Sequence, residues 1–266
     1  MRVKYSVLFL NFLFYSIVTL AQDTLSANAQ RIFNQFYPFT KKTVLIENRT
    51  ENYTDMSAGF VIKLKQKYFL VTAYHVLSGN IAADTLLSVS SGDKKIKSIL
   101  VFFHTKADSS SAITLPLYRN GKRLFISVPH EAFKFHSNRE VADIAFLPLN
   151  NLRSDILIDT VSIPQKTLAL EPDDSISIWG FSRGRTSGNH QCIVDFVSGL
   201  RYFGNAVYII FKETEIMGGD SGAPCYIHNG ETAAFIGMLV NSTLDHTSGV
   251  IISNILINKC IKIIGL

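Results

Sequence analysis

Cysteine is scarce, with Cys192, Cys225 and Cys260 the only three in 266 residues. So few thiols exclude a disulfide-dense scaffold, and oxidation of any pair would leave one over. Cys225 falls in the apolar stretch 223–227, where a small buried hydrophobe is the expectation, and no disulfide is assigned. Basic residues are scattered without an extended Lys/Arg run, so no nucleic-acid partner is implied. The remaining histidines, His104, His130, His136, His190, His228 and His246, have no zinc-like spacing with carboxylates or cysteines and are expected on the surface or in loops. Internal repeats and low-complexity segments are absent as well.

What is present is apolar: 47% of the chain is hydrophobic, enough for a large core and against extensive disorder. The start has the pattern of an export signal. Arg2 and Lys4 precede a mostly apolar run, 7–20, interrupted by Asn11 and Ser16, and Thr19-Leu20-Ala21 offers small residues for cleavage. Residues 1–21 are therefore expected to be removed on export to a secreted or periplasmic location, leaving no stable membrane insertion and, without Arg2 and Lys4, lowering the net charge from +5 to +3. No cysteine follows the run to carry a lipid anchor.

A helix is expected over 24–36, capped by Ser26. The pattern then turns to short apolar, β-branched and aromatic stretches: 43–47, 59–65, 68–72, 98–104, 113–118, 124–128 and 144–149, then 175–180, 192–197, 206–211, 223–227, 233–240 and 249–253. Asn120-Gly121 and Asn229-Gly230 are hairpin signals. Residues 151–171 read as a connector, and 255–264 has room for a closing helix. Many strands with few helices between them indicate an all-β architecture.

Three local motifs carry chemistry. Met217-Gly218-Gly219-Asp220-Ser221-Gly222-Ala223-Pro224 sets a serine on a glycine-rich turn, where a substrate carbonyl can approach the main chain and the amides of Gly219 and Ser221 can converge on an oxyanion. Upstream lie Val71-Thr72-Ala73-Tyr74-His75-Val76-Leu77 and Val141-Ala142-Asp143-Ile144-Ala145-Phe146-Leu147. Together they supply a base, His75, an orienting carboxylate, Asp143, and a nucleophile, Ser221, in that chain order. Each alone has a structural reading: a hydrogen-bonded histidine, a strand-start aspartate, a turn serine.

The Thr-Ala-x-His, Asp-Ile-Ala and Gly-Asp-Ser-Gly-x-Pro motifs, in that order, resemble those of the trypsin-like (chymotrypsin-fold) serine protease family, and its compact bacterial-type members in particular. Softer likenesses extend over most of the chain: Ser57-Ala58-Gly59-Phe60-Val61-Ile62, Ile178-Trp179-Gly180-Phe181, Ile236-Gly237-Met238-Leu239-Val240 and Gly249-Val250-Ile251. The resemblance implies two antiparallel β-barrels with a short C-terminal helix. The peptidase domain would span 22–266, with the first barrel at about 38–150, the second at about 172–253 and the helix at 254–266. It implies a serine endopeptidase acting on protein or peptide substrates without metal or organic cofactor. Val240 and Asn241 would pair with the substrate backbone. Glu215, six residues before Ser221, would stand at the base of the specificity pocket, although a solvated loop position is the simpler reading.

Asp220 has two readings: a partner for a newly released N-terminus, or a carboxylate fixing the turn. No Arg/Lys-Ile-Val-Gly-Gly-like segment precedes the first barrel, which favours the second and activity without zymogen cleavage. Two rival functions remain: a catalytically silent peptide-binding protein on the same fold, and an esterase. The esterase would rest on Gly180-Phe181-Ser182-Arg183-Gly184, with Asp220 and His246 completing Ser…Asp…His. The breaker-rich Thr186-Ser187-Gly188-Asn189 after Ser182 argues against the helix that elbow requires. Sequons occur at Asn48, Asn52 and Asn241, and Asn241 is read as unmodified because a glycan there would block the cleft.

Overall fold

The computed structural model describes residues 39, 41–49, 54–79, 96–105, 110–128, 143–166, 170–181, 191–203, 206–211, 219–229, 232–242 and 248–266, with main chain only for parts of 191–211 and 241–248. The export segment and the helix expected over 24–36 lie outside them. So do Ser182, Glu215 and His246.

Among the described residues nine strands precede residue 150: β1 Thr43–Arg49, β2 Thr54–Leu64, β3 Lys67–Thr72, β4 Ser98–His104, β5 Ser110–Pro116, β6 Tyr118–Arg119, β7 Lys122–Arg123, β8 Ile126–Ser127 and β9 Ala145–Pro148. Seven form one antiparallel sheet in the order β5-β4-β1-β2-β3-β9-β8, while β6 and β7 make a separate hairpin. β4 alternates buried and half-buried residues, as a strand with one face on a core must. A short helix, α1 (Tyr74–Ser78), follows β3 at once and stops at Gly79, whose left-handed φ of 73° lets its amide cap the His75 carbonyl.

The second half is a closed antiparallel barrel in the order β10-β11-β12-β15-β14-β13. Its strands are β10 Ser175–Gly180, β11 Gln191–Phe203, β12 Ala206–Phe211, β13 Pro224–Asn229, β14 Thr232–Ser242 and β15 Ser248–Ser253. Helix α2 (Asn254–Ile263) closes the chain, with the Ser253 hydroxyl accepting from the Leu256 amide. Two sheet layers and a C-terminal helix thus match the all-β expectation. The barrel is closed, whereas the end strands of the first sheet, β5 and β8, are not bonded to each other among the described residues. Because β10 and β11 pair antiparallel, the strand–helix–parallel-strand context of an α/β-hydrolase is missing, and the esterase reading is set aside.

The two halves share a core. Leu45 and Ala58 of the first sheet are buried together with Ile176, Ile178, Ala223, Cys225, Leu239 and Ile251 of the barrel. The 151–171 connector is tied down as well: Val161 donates to the Val61 carbonyl at 2.8 Å and Leu157 to that of His104 at 2.9 Å. Asn254 and Asn258 hold its end from α2, both donating to the Pro164 carbonyl. No helix among the described residues is long and apolar enough to cross a membrane.

Candidate active site

His75 is placed by an abrupt strand-to-helix transition. β3 ends at Thr72, Ala73 stays extended, and α1 begins at Tyr74, so the imidazole leaves the first turn of a helix anchored on the sheet. Asp143 precedes β9, the neighbour of β3, and Thr72 pairs with Ala145 in that ladder. The register therefore brings Asp143 to His75. One carboxylate grips the residue twice: Oδ2 lies 2.7 Å from the ring Nδ1, and Oδ1 accepts the His75 backbone amide at 2.9 Å. An ionised carboxylate only accepts, so Nδ1 carries the proton and Nε2 is left as the basic nitrogen.

Their side chains are 24% and 14% exposed, enough shelter to strengthen the pair without sealing it off. Burial by itself disfavours the imidazolium. The hydrogen bond and charge of Asp143 outweigh it, with a smaller contribution from the Asp55 carboxylate, and the His75 pKa stands above its ordinary 6.5.

Ser221 sits on a turn that the rest of the molecule clamps. The Ala223 amide donates to the Asp220 carbonyl at 2.9 Å, closing the turn around Ser221 and Gly222. Gly222 donates to the Leu239 carbonyl at 2.7 Å, and Leu239 donates back to Ala223 at 2.9 Å, zipping the turn onto β14. The Ser221 carbonyl accepts from the Ala58 amide of β2 at 2.9 Å, docking the turn on the first sheet. Gly219 and Gly222 have φ of 106° and 88°. At Gly222 a Cβ would collide with the Ala58 carbonyl and the Thr72 hydroxyl, which are themselves bonded at 2.7 Å. Thr72 is three residues from His75, so the serine turn rests on the end of the strand that leads into the histidine helix.

Asp220 is fully buried, and its Oδ1 presses on Gly180, where a Cβ would overlap it. This buried carboxylate lies under the turn at the end of β10.

Val240 is the extra residue of a β-bulge: Leu239 pairs with Ile251 and Asn241 with Val250, leaving Val240 unpaired in the β14–β15 ladder. Its carbonyl accepts a long 3.4 Å contact from the Ser221 hydroxyl. A bulge re-aims main chain at a site, and here it turns the β14 backbone toward Ser221. Asn241 is the next residue on that strand. Glu215 lies outside the described residues.

Asn48 matches a glycosylation sequon, yet its side chain is buried and its Nδ2 donates to the Val76 carbonyl of α1 at 2.6 Å, which occupies the atom a glycan would need. His228, expected at the surface, is half-buried in β13 with Nε2 at 2.6 Å from the Ser177 hydroxyl, and burial lowers its pKa. Cys225 and Cys260 are free, buried thiols, and the Cys192 side chain lies outside the described part. No cluster of three or more His, Cys, Asp or Glu able to hold a metal occurs among the described residues.

No protein-family model matches the chain, and no curated protein sequence matches it either. Solved structures do. The structure of Deg5 is 17% identical, with a TM-score of 0.55, 86% of this chain covered and 91% of that one. The serine endoprotease from Yersinia pestis is 14% identical with a TM-score of 0.53, and this chain, 86% covered, spans 65% of its length. Human heparin binding protein is 15% identical, with a TM-score of 0.53, over 86% of this chain and 91% of that one. The chain has the trypsin-like fold.

Proposed function

We propose that the protein is an exported serine endopeptidase whose catalytic residues are Ser221, His75 and Asp143. The observation that carries this reading is the double grip of Asp143 on His75, through ring Nδ1 and backbone amide. That grip selects the tautomer whose Nε2 can take a proton, and it supports the imidazolium that results.

In the acylation step Nε2 removes the Ser221 hydroxyl proton as Oγ attacks the scissile carbonyl. The carbonyl electrons move to oxygen, and the Gly219 and Ser221 amides are the proposed donors to that oxyanion. Collapse breaks the C–N bond, and the imidazolium returns its proton to the leaving amine. Water, deprotonated by Nε2, then cleaves the ester and regenerates Ser221. Chemistry of this kind is served by the chain's own side chains, without a cofactor. The substrate would lie extended along β14 at Val240 and Asn241. Asp220 is proposed to fix the turn from beneath, in a site set without release of a new N-terminus. Glu215 is proposed as a selector for Lys or Arg before the scissile bond. Residues 1–21 are proposed as the removable signal and 22–266 as the peptidase domain.

A second reading has a specific observation behind it. The same fold is shared with a protein named for binding heparin, so the fold alone does not decide between catalysis and binding. A fluorophosphonate probe separates the two. Labelling of the mature protein that vanishes in Ser221→Ala and falls sharply in His75→Ala supports the peptidase. A folded protein that stays unlabelled, and cleaves no peptide from a mixed library, is a binder. The same library run on Glu215→Gln tests the pocket: loss confined to cleavage after Lys and Arg assigns Glu215, and an unchanged profile removes it.

A further inference from the structure

The β6–β7 hairpin holds positive charge in an unfavourable arrangement. Around Asn120 and Gly121, both left-handed at φ 50° and 74°, Arg119 lies directly opposite Lys122 and Tyr118 opposite Arg123. Like charges across a ladder oppose its pairing. The cations are exposed, the described stretches 96–105 and 110–128 contain neither Asp nor Glu, and no ion pair relieves them among the described residues. Exposed Lys97 adds to the group at the hairpin's base, where its carbonyl accepts the Leu117 amide at 2.9 Å.

The hairpin's position gives this charge a use. Phe125 is buried just beyond β7, and three groups converge on its ring. The Arg123 guanidinium is 5.0 Å from its centroid, the Tyr118 ring 6.3 Å and the Tyr74 ring 6.0 Å. Tyr74 immediately precedes His75 in α1. A single phenyl ring therefore roots the basic hairpin on the element that carries the imidazole. Arg123 is engaged in this stack, while Arg119 and Lys122, opposite one another, share the hairpin's other face.

We infer that this hairpin is a docking site for an acidic segment of the protein substrate, with Arg119 and Lys122 as the contacting residues. The inference rests on the peptidase reading for the meaning of "substrate". Guanidinium and ammonium groups with no ion-pair partner among the described residues take carboxylates by charge-assisted hydrogen bonds, and a patch of few cations beside a site recruits a charged ligand mainly by raising its local concentration. The patch is short, not the extended stripe a nucleic acid requires.

Two charge reversals test this in the mature chain. Arg119→Glu/Lys122→Glu alters the hairpin. Lys65→Glu/Lys67→Glu makes the same change in net charge at the β2–β3 turn, at the end of β3 opposite the histidine helix. First, a fluorescent Asp/Glu-rich peptide and a neutral peptide of equal length are titrated by anisotropy into Ser221→Ala protein carrying each pair, at low and at physiological salt. The acidic peptide alone should bind, more weakly with salt, and roughly tenfold more weakly with the hairpin pair than with the control pair. Second, hydrolysis of a cleavable peptide is compared with and without an acidic extension. The extension should lower KM in wild type and in the control, with no gain in the hairpin variant, whose turnover of the short peptide is unchanged. Equal weakening by both pairs reduces the effect to net charge and overturns the inference, as does binding of heparin but not of the acidic peptide. Acidic-peptide binding lost only in the hairpin pair, but without hydrolysis by wild type, upholds the docking site and overturns the peptidase reading instead. Retained thermal unfolding midpoints verify folding, and Lys122→Ser, expected to show a smaller loss, replaces the pair if it does not fold.

Discussion

The Asn48 side-chain amide on β1 donates to the Val76 carbonyl of α1 across 2.6 Å of buried space, one residue beyond His75. Only the amide's NH2 end can face a carbonyl, so its orientation is set chemically. The histidine helix is thus held from two sides, by Asp143 at the His75 amide and by Asn48 at the next residue's carbonyl.

Replacing Asn48 should therefore disturb the position of His75 more than substrate affinity. We expect Asn48→Ala to cost about 1–3 kcal/mol of stability for the lost buried bond and orphaned carbonyl. Turnover should drop by about ten- to a hundredfold with KM nearly unchanged. Asn48→Asp, of equal size but unable to donate when ionised, should be no better than Ala. Urea denaturation and steady-state kinetics of both variants check this; a stability loss with intact kcat would leave Asn48 a purely structural residue.

The acid limb of activity should lie above the ordinary histidine range, because the base must be neutral and its pKa is raised. Asp55→Asn removes one raising charge and should move that limb to lower pH. Asp143→Asn removes the larger support, so its residual activity should titrate lower still. Rate profiles for the three proteins, with folding monitored in parallel, read these shifts.

A stability dependence of the opposite sense follows from the same group. The folded-state pKa is raised, so the His75 contribution is fully present below the unfolded value near 6.5 and is lost as pH rises through the folded value. The stability gap between wild type and His75→Gln should be widest at mildly acidic pH, above the carboxylate range, and narrow towards alkaline pH. A gap constant across this window in urea titrations would contradict the ion pair.

Two glycines beneath the serine should not tolerate a methyl group. Gly222→Ala sets a side chain at φ 88° against the Ala58 carbonyl and Thr72, and should cost at least about 1–2 kcal/mol together with most activity. Gly180→Ala presses on the Asp220 carboxylate and should lower activity through the turn while the first sheet stays folded. Thermal unfolding and probe labelling of each variant separate loss of the fold from loss of the turn.

The described thiols should be inert in the native protein. Burial pushes Cys260 up to about 12 and raises Cys225 as well, leaving almost no thiolate at neutral pH. Iodoacetamide should modify neither until the chain is denatured, as mass spectrometry would register.

The all-β class and the local settings of His75, Asp143 and Ser221 were legible because each depends on neighbouring residues: an apolar strand before a histidine, glycines around a serine. The closing helix, for which 255–264 left room, forms over Asn254–Ile263, and its Ser253 cap sits at the end of the strand before it. What the sequence hid depends on register. Nothing near Asn48 announces that Val76 will stand beside it, so a sequon was the more visible pattern. The 59–65 strand extends back to Thr54 because β1 pairs with the whole stretch. Residues 113–118, read as one strand, divide between β5 and β6, and β7 arises between 113–118 and 124–128, since a two-residue turn at Asn120-Gly121 creates a hairpin that pairs only with itself.

The bond from Ala58 to the Ser221 carbonyl has a consequence for the order of synthesis. A ribosome completes the histidine and its carboxylate long before it reaches the serine. The serine turn is then set against a strand made near the beginning of the chain. A nascent or truncated polypeptide ending before Asp220 therefore holds two of the three proposed catalytic residues and lacks the serine. The proposed triad is therefore completed only once translation has passed both halves of the molecule.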